Sequence, residues 1–360
     1  MLAARASPRS IGAKPVLDRV VVAMLGLCAA ILVVAALYLA GSIFAPLTFG
    51  LFFLALVWPM QKALQEHIPR GLALFLTLSA TIVIFLAFGS MIAWALSAIA
   101  DWLINNLQTF QSLYAQATEW LEGHGIFVAG ALADRFDVAW LLRLFQEIAR
   151  RLNRLAGFGI LVFVFLMLAL LETEAFRQRL LRLGKQDQGG RLIEAAQEIA
   201  TKFRRYMIVR TQLSVLTGIV VWGFAALAGV EPAAGWGLLA FALNYIPFIG
   251  SFVATILPGL FAMAQLDTWQ AIVLVFAGLA FIQFMIGNYL EPLVAGAALS
   301  ISPFAVVFAV FFWGFLWGIP GAFIGVPILI TIIVICAQYP SSAWIATLLS
   351  GNAPDPAEKT

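Results

Sequence analysis

The chain of 360 residues is 63% hydrophobic and only 11% charged, with a formal net charge of +3. A soluble globular protein has about 25% charged residues, so this composition excludes that class. Together with a mean hydropathy of +0.99, it predicts an all-α polytopic membrane protein. Long apolar runs without strand-like alternation argue against a membrane β-barrel.

The first 98 residues predict a cytoplasmic tail followed by three spans. Residues 1–19 form a basic tail, and the positive-inside rule places such a tail in the cytoplasm. The apolar run Val20–Ala40 exceeds the roughly 7–15 apolar residues of a signal peptide, so it predicts an uncleaved first span. Two further apolar runs complete three N-terminal spans within 20–98.

The middle of the chain alternates between polar connections and one short span. Residues 99–154 repeat apolar side chains at helical spacing and predict an extracytoplasmic amphipathic helical arm. The apolar run 155–171 predicts a fourth span. Residues 172–210 are rich in Lys and Arg, which predicts a basic cytoplasmic amphipathic segment that contacts anionic lipid rather than nucleic acid.

Residues 211–338 predict a transport core, followed by a C-terminal tail at 339–360 that we expect in the cytoplasm. Pro and Gly break two apolar segments of this core, 235–264 and 303–337. As single helices they would measure about 45 and about 52 Å, against a hydrocarbon core of about 30 Å. Each segment is therefore an overlong kinked span or a re-entrant helical hairpin. The chain then has six to eight spans, and two hairpins inserted from opposite sides would form an inverted repeat.

Each break combines a proline with a nearby glycine. The pairs are Pro247 with Gly250 in the first segment, and Pro320 with Gly321 in the second. The backbone groups that these residues free have no water partner in hydrocarbon, so irregular backbone survives there only against protein or a wet cavity. Paired breaks predict a transporter's solute site. Ordinary kinks in membrane helices are the alternative.

Polar side chains near the breaks are the candidate solute contacts. They are Asn244, Tyr245, Gln283, Asn288, Tyr289 and Glu291. Neutral hydrogen-bonding groups suit a small, uncharged, polyol-like solute. Glu291 is ionisable and flanked by apolar sequence, which makes it a functional candidate by default. A structural carboxylate at a helix end is the alternative role, and a cation held by Glu291 and backbone carbonyls also stays open.

The sequence predicts no enzyme, no cofactor and no metal site. It lacks a nucleotide-binding P-loop, an H-E-x-x-H zinc motif and a G-x-S-x-G nucleophile motif. Cys28 and Cys336 lie in separate apolar runs, which predicts packing roles. His67 and His124 lie in polar connections, which predicts surface positions.

Short motifs in the C-terminal half resemble the AI-2E, or autoinducer-2 exporter, family of bacterial membrane proteins. These motifs are Asn244–Gly250 with Pro258, Gly287–Pro292, Ser302-Pro303, and Gly318–Gly321 with Val326-Pro327. The segments Leu64–Gly71 and Arg204–Gln212 extend the resemblance to most of the chain. One departure is Val294-Ala295-Gly296, where family members more often carry a basic residue. Its absence removes a partner for Glu291 and weakens the inference of a salt bridge there.

The resemblance implies a multi-pass transporter of the bacterial cytoplasmic (inner) membrane. It also implies a homo-oligomer, such as a pentamer, in which the hairpin-bearing core moves against a scaffold. The solutes associated with the family are autoinducer-2 and, in some members, sodium exchanged for protons. Three functions stay open. They are a secondary transporter or facilitated exporter of an uncharged hydrophilic solute, a sodium(cation)/proton antiporter that uses Glu291, and a non-transporting membrane scaffold.

Overall fold

The structure is a computed structural model that describes residues 14–124, 138–183, 188–295 and 301–351. The described chain is helical almost throughout, which confirms the predicted all-α membrane class. Parts of five predicted regions lie outside the described residues: 1–13 of the basic tail, 125–137 of the arm, 184–187 of the basic cytoplasmic segment, 296–300 of the core and 352–360 of the C-terminal tail. Gly296, the last residue of the departure from the family pattern, also lies outside them.

The helices follow one another with short connections. In chain order they are α1 (Lys14–Leu39), α2 (Gly41–Gln65), α3 (Arg70–Asn105), α4 (Leu107–Gly123), α5 (Val138–Leu183), α6 (Gln188–Leu227), α7 (Ala233–Leu243), α8 (Ile249–Gln265), α9 (Trp269–Met285), a π-helical turn (Ile286–Leu290), α10 (Glu291–Ala295), α11 (Pro303–Gln338) and α12 (Ala343–Leu349).

Seven helical stretches in the described residues are long and apolar enough to cross a membrane. They are Val20–Leu39, Gly41–Gln65, Arg70–Asn105, Gly157–Arg179, Gly190–Leu227, Trp269–Val294 and Pro303–Gln338. The helices α7 and α8 are apolar but shorter. The number of long helices lies within the six to eight spans that the sequence predicts.

Helix α6 joins two regions that the sequence analysis separated. It runs for 40 residues without a proline, which corresponds to about 60 Å. It therefore includes the end of the basic segment predicted at 172–210 and the beginning of the predicted core at 211–338. The length of this helix exceeds the thickness of the hydrocarbon core, so it can carry charged residues at one end and apolar residues farther along. The change in composition at Arg210 therefore does not end the helix.

Helices α7 and α8 fold back on one another and form the first hairpin, Ala233–Gln265. Near its base, the rings of Trp236 and Phe261 lie 4.7 Å apart between centroids. The base is closed by two hydrogen bonds. The Glu231 backbone N–H donates to Gln265 Oε1 at 2.7 Å, and Gln265 Nε2 donates to the Glu231 carbonyl oxygen at 2.8 Å. Both ends of the broken segment therefore lie together.

The tip of the first hairpin requires a close approach of backbone to backbone. Phe248 has a φ of 63°, a left-handed backbone conformation that residues other than glycine rarely adopt. Gly250 lies directly against the Leu243 carbonyl oxygen, and an added Cβ would collide with it. The glycine at this position is therefore a requirement of the turn.

Helix α11 contains a second fold-back and forms the second hairpin, Pro303–Gln338. Gly318 interrupts it with φ 67° and ψ −144°. Its two arms are antiparallel, because a Cβ added at Gly321 would collide with the Trp313 carbonyl oxygen, and one at Gly325 would lie 2.8 Å from that of Ala309. The 36-residue segment is thus two helices side by side, packed through small residues.

The two hairpins lie toward opposite ends of α6. The first packs its α7 arm against the C-terminal half of α6, where an added Cβ at Gly237 would lie 2.5 Å from Trp222 Cβ. The second shares a hydrophobic cluster with Phe203 and Tyr206 in the N-terminal half of α6. Ile246, from the tip of the first hairpin, belongs to this same cluster, so the hairpins meet at their tips.

Candidate functional site

An apolar cleft lies between the two hairpin tips, and we call it the tip cleft. Its volume is about 320 Å³. Two isoleucines from the first hairpin face a wall from the second, and the lining residues are Ile246, Ile249, Val310, Phe311, Gly314, Phe315, Gly318, Ile319 and Ala322. The cleft thus offers shape and apolar surface but no charged side chain.

The four predicted backbone-break residues lie at the two tips. Pro247 and Gly250 are buried in the turn of the first hairpin. Pro320 is half-buried and Gly321 is buried just after the turn of the second hairpin. These four residues therefore lie next in the chain to residues that line the tip cleft, although none of the four lines it itself.

The polar side chains of the first tip face α6 and not the tip cleft. Asn244 Nδ2 donates to Ser214 Oγ at 3.1 Å, and the Tyr245 hydroxyl donates to Thr211 Oγ1 at 3.0 Å. Asn244 and Tyr245 are both buried. These two predicted solute contacts therefore fasten the tip to α6 in this conformation.

Glu291 forms a two-pronged ion pair with Arg210 of α6. Arg210 Nη1 donates to Glu291 Oε2 at 3.1 Å, and Arg210 Nη2 lies 2.9 Å from Glu291 Oε1. Only 7% of the arginine side chain is exposed, against 32% of the glutamate side chain. The fork-shaped guanidinium matches a carboxylate with two parallel hydrogen bonds, which fixes both position and orientation.

This pair corrects the sequence analysis. The absence of a basic residue in Val294-Ala295-Gly296 weakened the inference of a salt bridge at Glu291, yet the partner comes from α6, 81 positions earlier in the chain. Glu291 begins α10, directly after the π-helical turn at Ile286–Leu290. Ile286 packs against Val209 of α6, which brings α6 and the start of α10 together.

Tyr206, one helical turn earlier on α6, is buried beside this pair, and its hydroxyl group interacts with the Arg210 side chain. The Arg210 guanidinium carbon lies 5.8 Å from the centre of the Tyr206 ring. Together with Thr211 and Ser214, these residues form what we call the α6 polar stripe: Tyr206, Arg210, Thr211 and Ser214.

The other predicted site residues do not join the tip cleft or the α6 polar stripe. Gln283 is buried on the face of α9 that also holds Leu279. Asn288 is exposed and donates to the Phe284 carbonyl oxygen of its own helix at 3.3 Å. Tyr289 is 70% exposed. Within the described residues, no group of three or more side chains is arranged to hold a metal ion.

The α6 polar stripe is the part of the site that sequence reasoning missed. Arg210 was grouped with the basic residues that contact lipid, because it is the last Arg before a long stretch without Lys or Arg. One feature of the sequence could have revealed its role: Arg210 is directly followed by a long apolar stretch. Glu291 is also flanked by apolar sequence. Because isolated charges are costly in a membrane, an ion pair between these two residues could have been predicted.

The chain is similar in sequence to known transport proteins along most of its length. A family model described as "AI-2E family transporter" matches residues 27–341. The AI-2 transport protein TqsA of Escherichia coli (strain K12) is 28% identical over 336 residues, which cover 92% of this chain and 95% of that protein. A putative transport protein of Haemophilus influenzae is 26% identical over 344 residues, covering 91% of this chain and 95% of the relative.

Proposed function

The chain belongs to the AI-2E family of transporters, and from this premise we propose that it moves a small, uncharged, hydrophilic solute of the autoinducer-2 kind. The family and the long apolar helices make it a multi-pass membrane transporter. The solute, the direction of movement and the mechanism are our proposal. We place the protein in the bacterial cytoplasmic membrane, with both termini in the cytoplasm.

The observation that carries this function is the meeting of two helical hairpins at their tips. Each hairpin returns to the side from which it started, and the two bases lie toward opposite ends of α6. In a membrane this arrangement would make both hairpins re-entrant, with opposed insertion as in the inverted repeats of secondary transporters. Movement of one hairpin past the other would open the tip cleft to each side in turn.

The charge balance of the site favours an uncharged solute. The carboxylate of Glu291 is already paired with a buried guanidinium, so a cation at Glu291 would have to displace Arg210 or lie beside it. The ion pair therefore argues against a sodium/proton antiporter that uses Glu291. The name of the E. coli relative, AI-2 transport protein, supports an uncharged hydrophilic solute for this chain.

We further propose that the protein works as a homo-oligomer, with the pentamer as the form that the family resemblance implies. The spanning part of α1, Val20–Leu39, has none of its residues buried within the subunit. A scaffold of neighbouring subunits would cover this helix, while the hairpins move within each subunit. In the competing scaffold function, the 99–154 arm would matter and the hairpin tips would not.

Flux measured in proteoliposomes tests the function. Purified protein is reconstituted, and labelled autoinducer-2 and sodium/proton exchange are followed with and without an imposed pH gradient. We expect autoinducer-2 flux that falls in Pro247→Ala and in Pro320→Ala. Pro59→Ala is the matched control, because Pro59 lies inside α2 and belongs to neither hairpin turn. Sodium-coupled proton movement without solute flux would establish the antiporter, and no flux of either kind would favour the scaffold.

A further inference from the structure

The tip of the second hairpin is held against the junction between α1 and α2. The Trp317 indole Nε1 donates a hydrogen bond to the Leu37 carbonyl oxygen at 3.0 Å. Leu37 lies in the last turn of α1, where backbone carbonyls lack a partner within the helix. The indole also packs directly on Gly41, the first residue of α2, because an added Cβ there would lie 3.0 Å from Trp317 Cδ1. Trp317 therefore contacts both sides of the junction.

A second contact joins the same hairpin tip to α1. The rings of Tyr38 and Phe315 are stacked, with 6.0 Å between their centroids. Phe315 and Gly318 line the tip cleft. Trp317, which lies between them in the chain, does not line it. The contacts with α1 therefore fix the position of one wall of the cleft, and Trp317 does so without forming part of that wall.

Farther along the second hairpin, its C-terminal arm packs against α2. The rings of Phe323 and Phe49 are stacked at 5.8 Å. Ala322, from the same arm, belongs to the hydrophobic cluster that contains Phe49. Helix α2 is itself tightly packed on α5, because an added Cβ at Gly50 would lie 2.8 Å from Phe165 Cβ. The second hairpin is thereby joined to α1, to α2 and, through α2, to α5.

The turn of the first hairpin differs in its backbone. Phe248 has a φ of 63° and is 51% exposed. Such a conformation costs free energy in a residue other than glycine, and strain of this kind is typical of segments that change conformation. Gly318, in the turn of the second hairpin, has a similar φ of 67°, which glycine adopts without this cost. Of the two turns, the first is therefore strained and the second is not.

We propose that the second hairpin tip is the fixed wall of the tip cleft, that Trp317 is the residue that positions it, and that the first hairpin tip is the one that moves. This inference rests on the proposed function and assigns the movement to one of the two hairpins. Because Trp317 holds the tip at α1 and does not line the cleft, it acts on the rate of solute movement through the position of the wall.

Flux of labelled autoinducer-2 into proteoliposomes, measured at a series of solute concentrations, tests the role of Trp317. Trp317→Phe keeps an aromatic ring and removes the N–H group. We expect its maximal rate to fall about fivefold, the shift in an equilibrium that one lost hydrogen bond produces, at an unchanged half-saturating concentration. Trp344→Phe, at a tryptophan of α12 that is 65% exposed, is the matched control and should keep the wild-type rate. An unchanged maximal rate in Trp317→Phe would overturn the positioning role.

A covalent bridge tests whether this tip stays in place. Tyr38→Cys and Phe315→Cys are introduced after Cys28 and Cys336 are replaced by serine, and a short thiol-reactive cross-linker joins the two new cysteines. We expect the bridged protein to keep the flux of the same variant before bridging. With Trp317→Phe added, the bridge should restore the rate that this substitution removes, which it would not do for a misfolded protein. Flux abolished by the bridge, or a rate that the bridge fails to restore, would overturn the fixed wall.

Hydrogen–deuterium exchange of the purified protein separates this inference from the proposed function, because it requires no solute. Backbone amides exchange through local opening, so we expect faster exchange at 244–250 than at 316–321. Trp317→Phe should speed exchange at 316–321 alone. This pattern in a protein without autoinducer-2 flux would overturn the proposed function and support the fixed wall. Flux together with faster exchange at 316–321 in the wild type would overturn the fixed wall and leave the function standing.

Discussion

The tip cleft and the α6 polar stripe lie close together, but the first is lined by apolar residues and the second consists of polar and charged residues. The tip cleft is lined by apolar residues from two hairpins whose turns depend on glycine. The α6 polar stripe holds a buried ion pair and two hydrogen bonds to the first hairpin tip. Apolar packing determines the shape of the cleft and is sensitive to changes in side-chain volume, whereas buried polar pairs are sensitive to the loss of a single partner. Substitutions should therefore affect the two regions in different ways.

The largest effect is expected for Glu291→Gln in the α6 polar stripe. This variant leaves the Arg210 charge buried without compensation, and removing one partner of a buried pair costs about 3–5 kcal/mol. We expect the free energy of unfolding to fall by about 3 kcal/mol, the lower end, since Glu291 is partly exposed. Reversible unfolding in mixed micelles measures this change.

The matched variant Arg210→Gln should lose less stability, because water can reach the remaining carboxylate of Glu291. The charge-reversed double variant, Arg210→Glu with Glu291→Arg, should recover part of the loss. Equal losses for the two single variants, without recovery in the double variant, would contradict a direct pair.

The next largest effect is expected at the glycines that form the hairpins. Gly250→Ala and Gly321→Ala each place a methyl group into a backbone carbonyl oxygen of the opposite arm. We expect each to cost about 2–3 kcal/mol of unfolding free energy, because a packed backbone cannot move far enough to accept the extra atom. Thermal unfolding checks this prediction. Gly223→Ala, with no atom within 4 Å of the added Cβ, is the matched control. Tolerance of the methyl group at both tips would contradict the fold-back.

A smaller effect is expected where the two regions are joined. Tyr245→Phe removes the hydrogen bond to Thr211 and keeps the ring, which stacks against Phe323 at 5.9 Å. We expect a loss of about 1 kcal/mol in unfolding free energy and a change in the rate of solute flux. Flux in proteoliposomes and unfolding are measured on the same preparation. A changed rate of flux with little change in stability would show that this contact holds the tip in one of its positions. An unchanged rate would show that solute movement does not depend on the contact between the α6 polar stripe and the tip.

The smallest effect is expected for Lys202→Ala, eight residues before Arg210 on the same helix. Lys202 pairs with Glu198 at 2.8 Å, but about a third of its side chain is exposed. Pairs of this kind at i, i+4 contribute about 0.3–0.5 kcal/mol. The expected loss of stability is therefore below about 0.5 kcal/mol, to be measured beside Arg210→Gln. A loss as large as that of Arg210→Gln would remove the distinction between the buried and exposed basic residues of α6.

Local features of the sequence were enough to locate both breaks, but they left open whether each segment is a kinked span or a hairpin. Pro247, Gly250, Pro320 and Gly321 act on their own backbone, and a break of this kind is visible wherever it occurs in an apolar run. The number of long apolar helices follows from length and hydropathy in the same way. The membrane class and the positions of the breaks were therefore predictable from composition and spacing.

The partners of the polar residues were not predictable in that way. Arg210 and Glu291 are 81 positions apart, and their pairing depends on the packing of α6 against the start of α10. Charge counting placed Arg210 at the edge of a lipid-facing segment, although α6 continues past it without interruption. Asn244 and Tyr245 were predicted as solute contacts from their position beside the break, and only the structure shows that their side chains face α6.

Immobilising the tips is the most direct test of the claim that solute passes between them. Cysteines at Ile246 and Ala322, which line the tip cleft from opposite hairpins, are introduced after Cys28 and Cys336 are replaced by serine. Autoinducer-2 flux is measured in proteoliposomes before and after bridging with a short thiol-reactive cross-linker, with each single-cysteine variant as control. Bridging is expected to abolish flux in the double variant alone. Full flux through the bridged protein would contradict that claim.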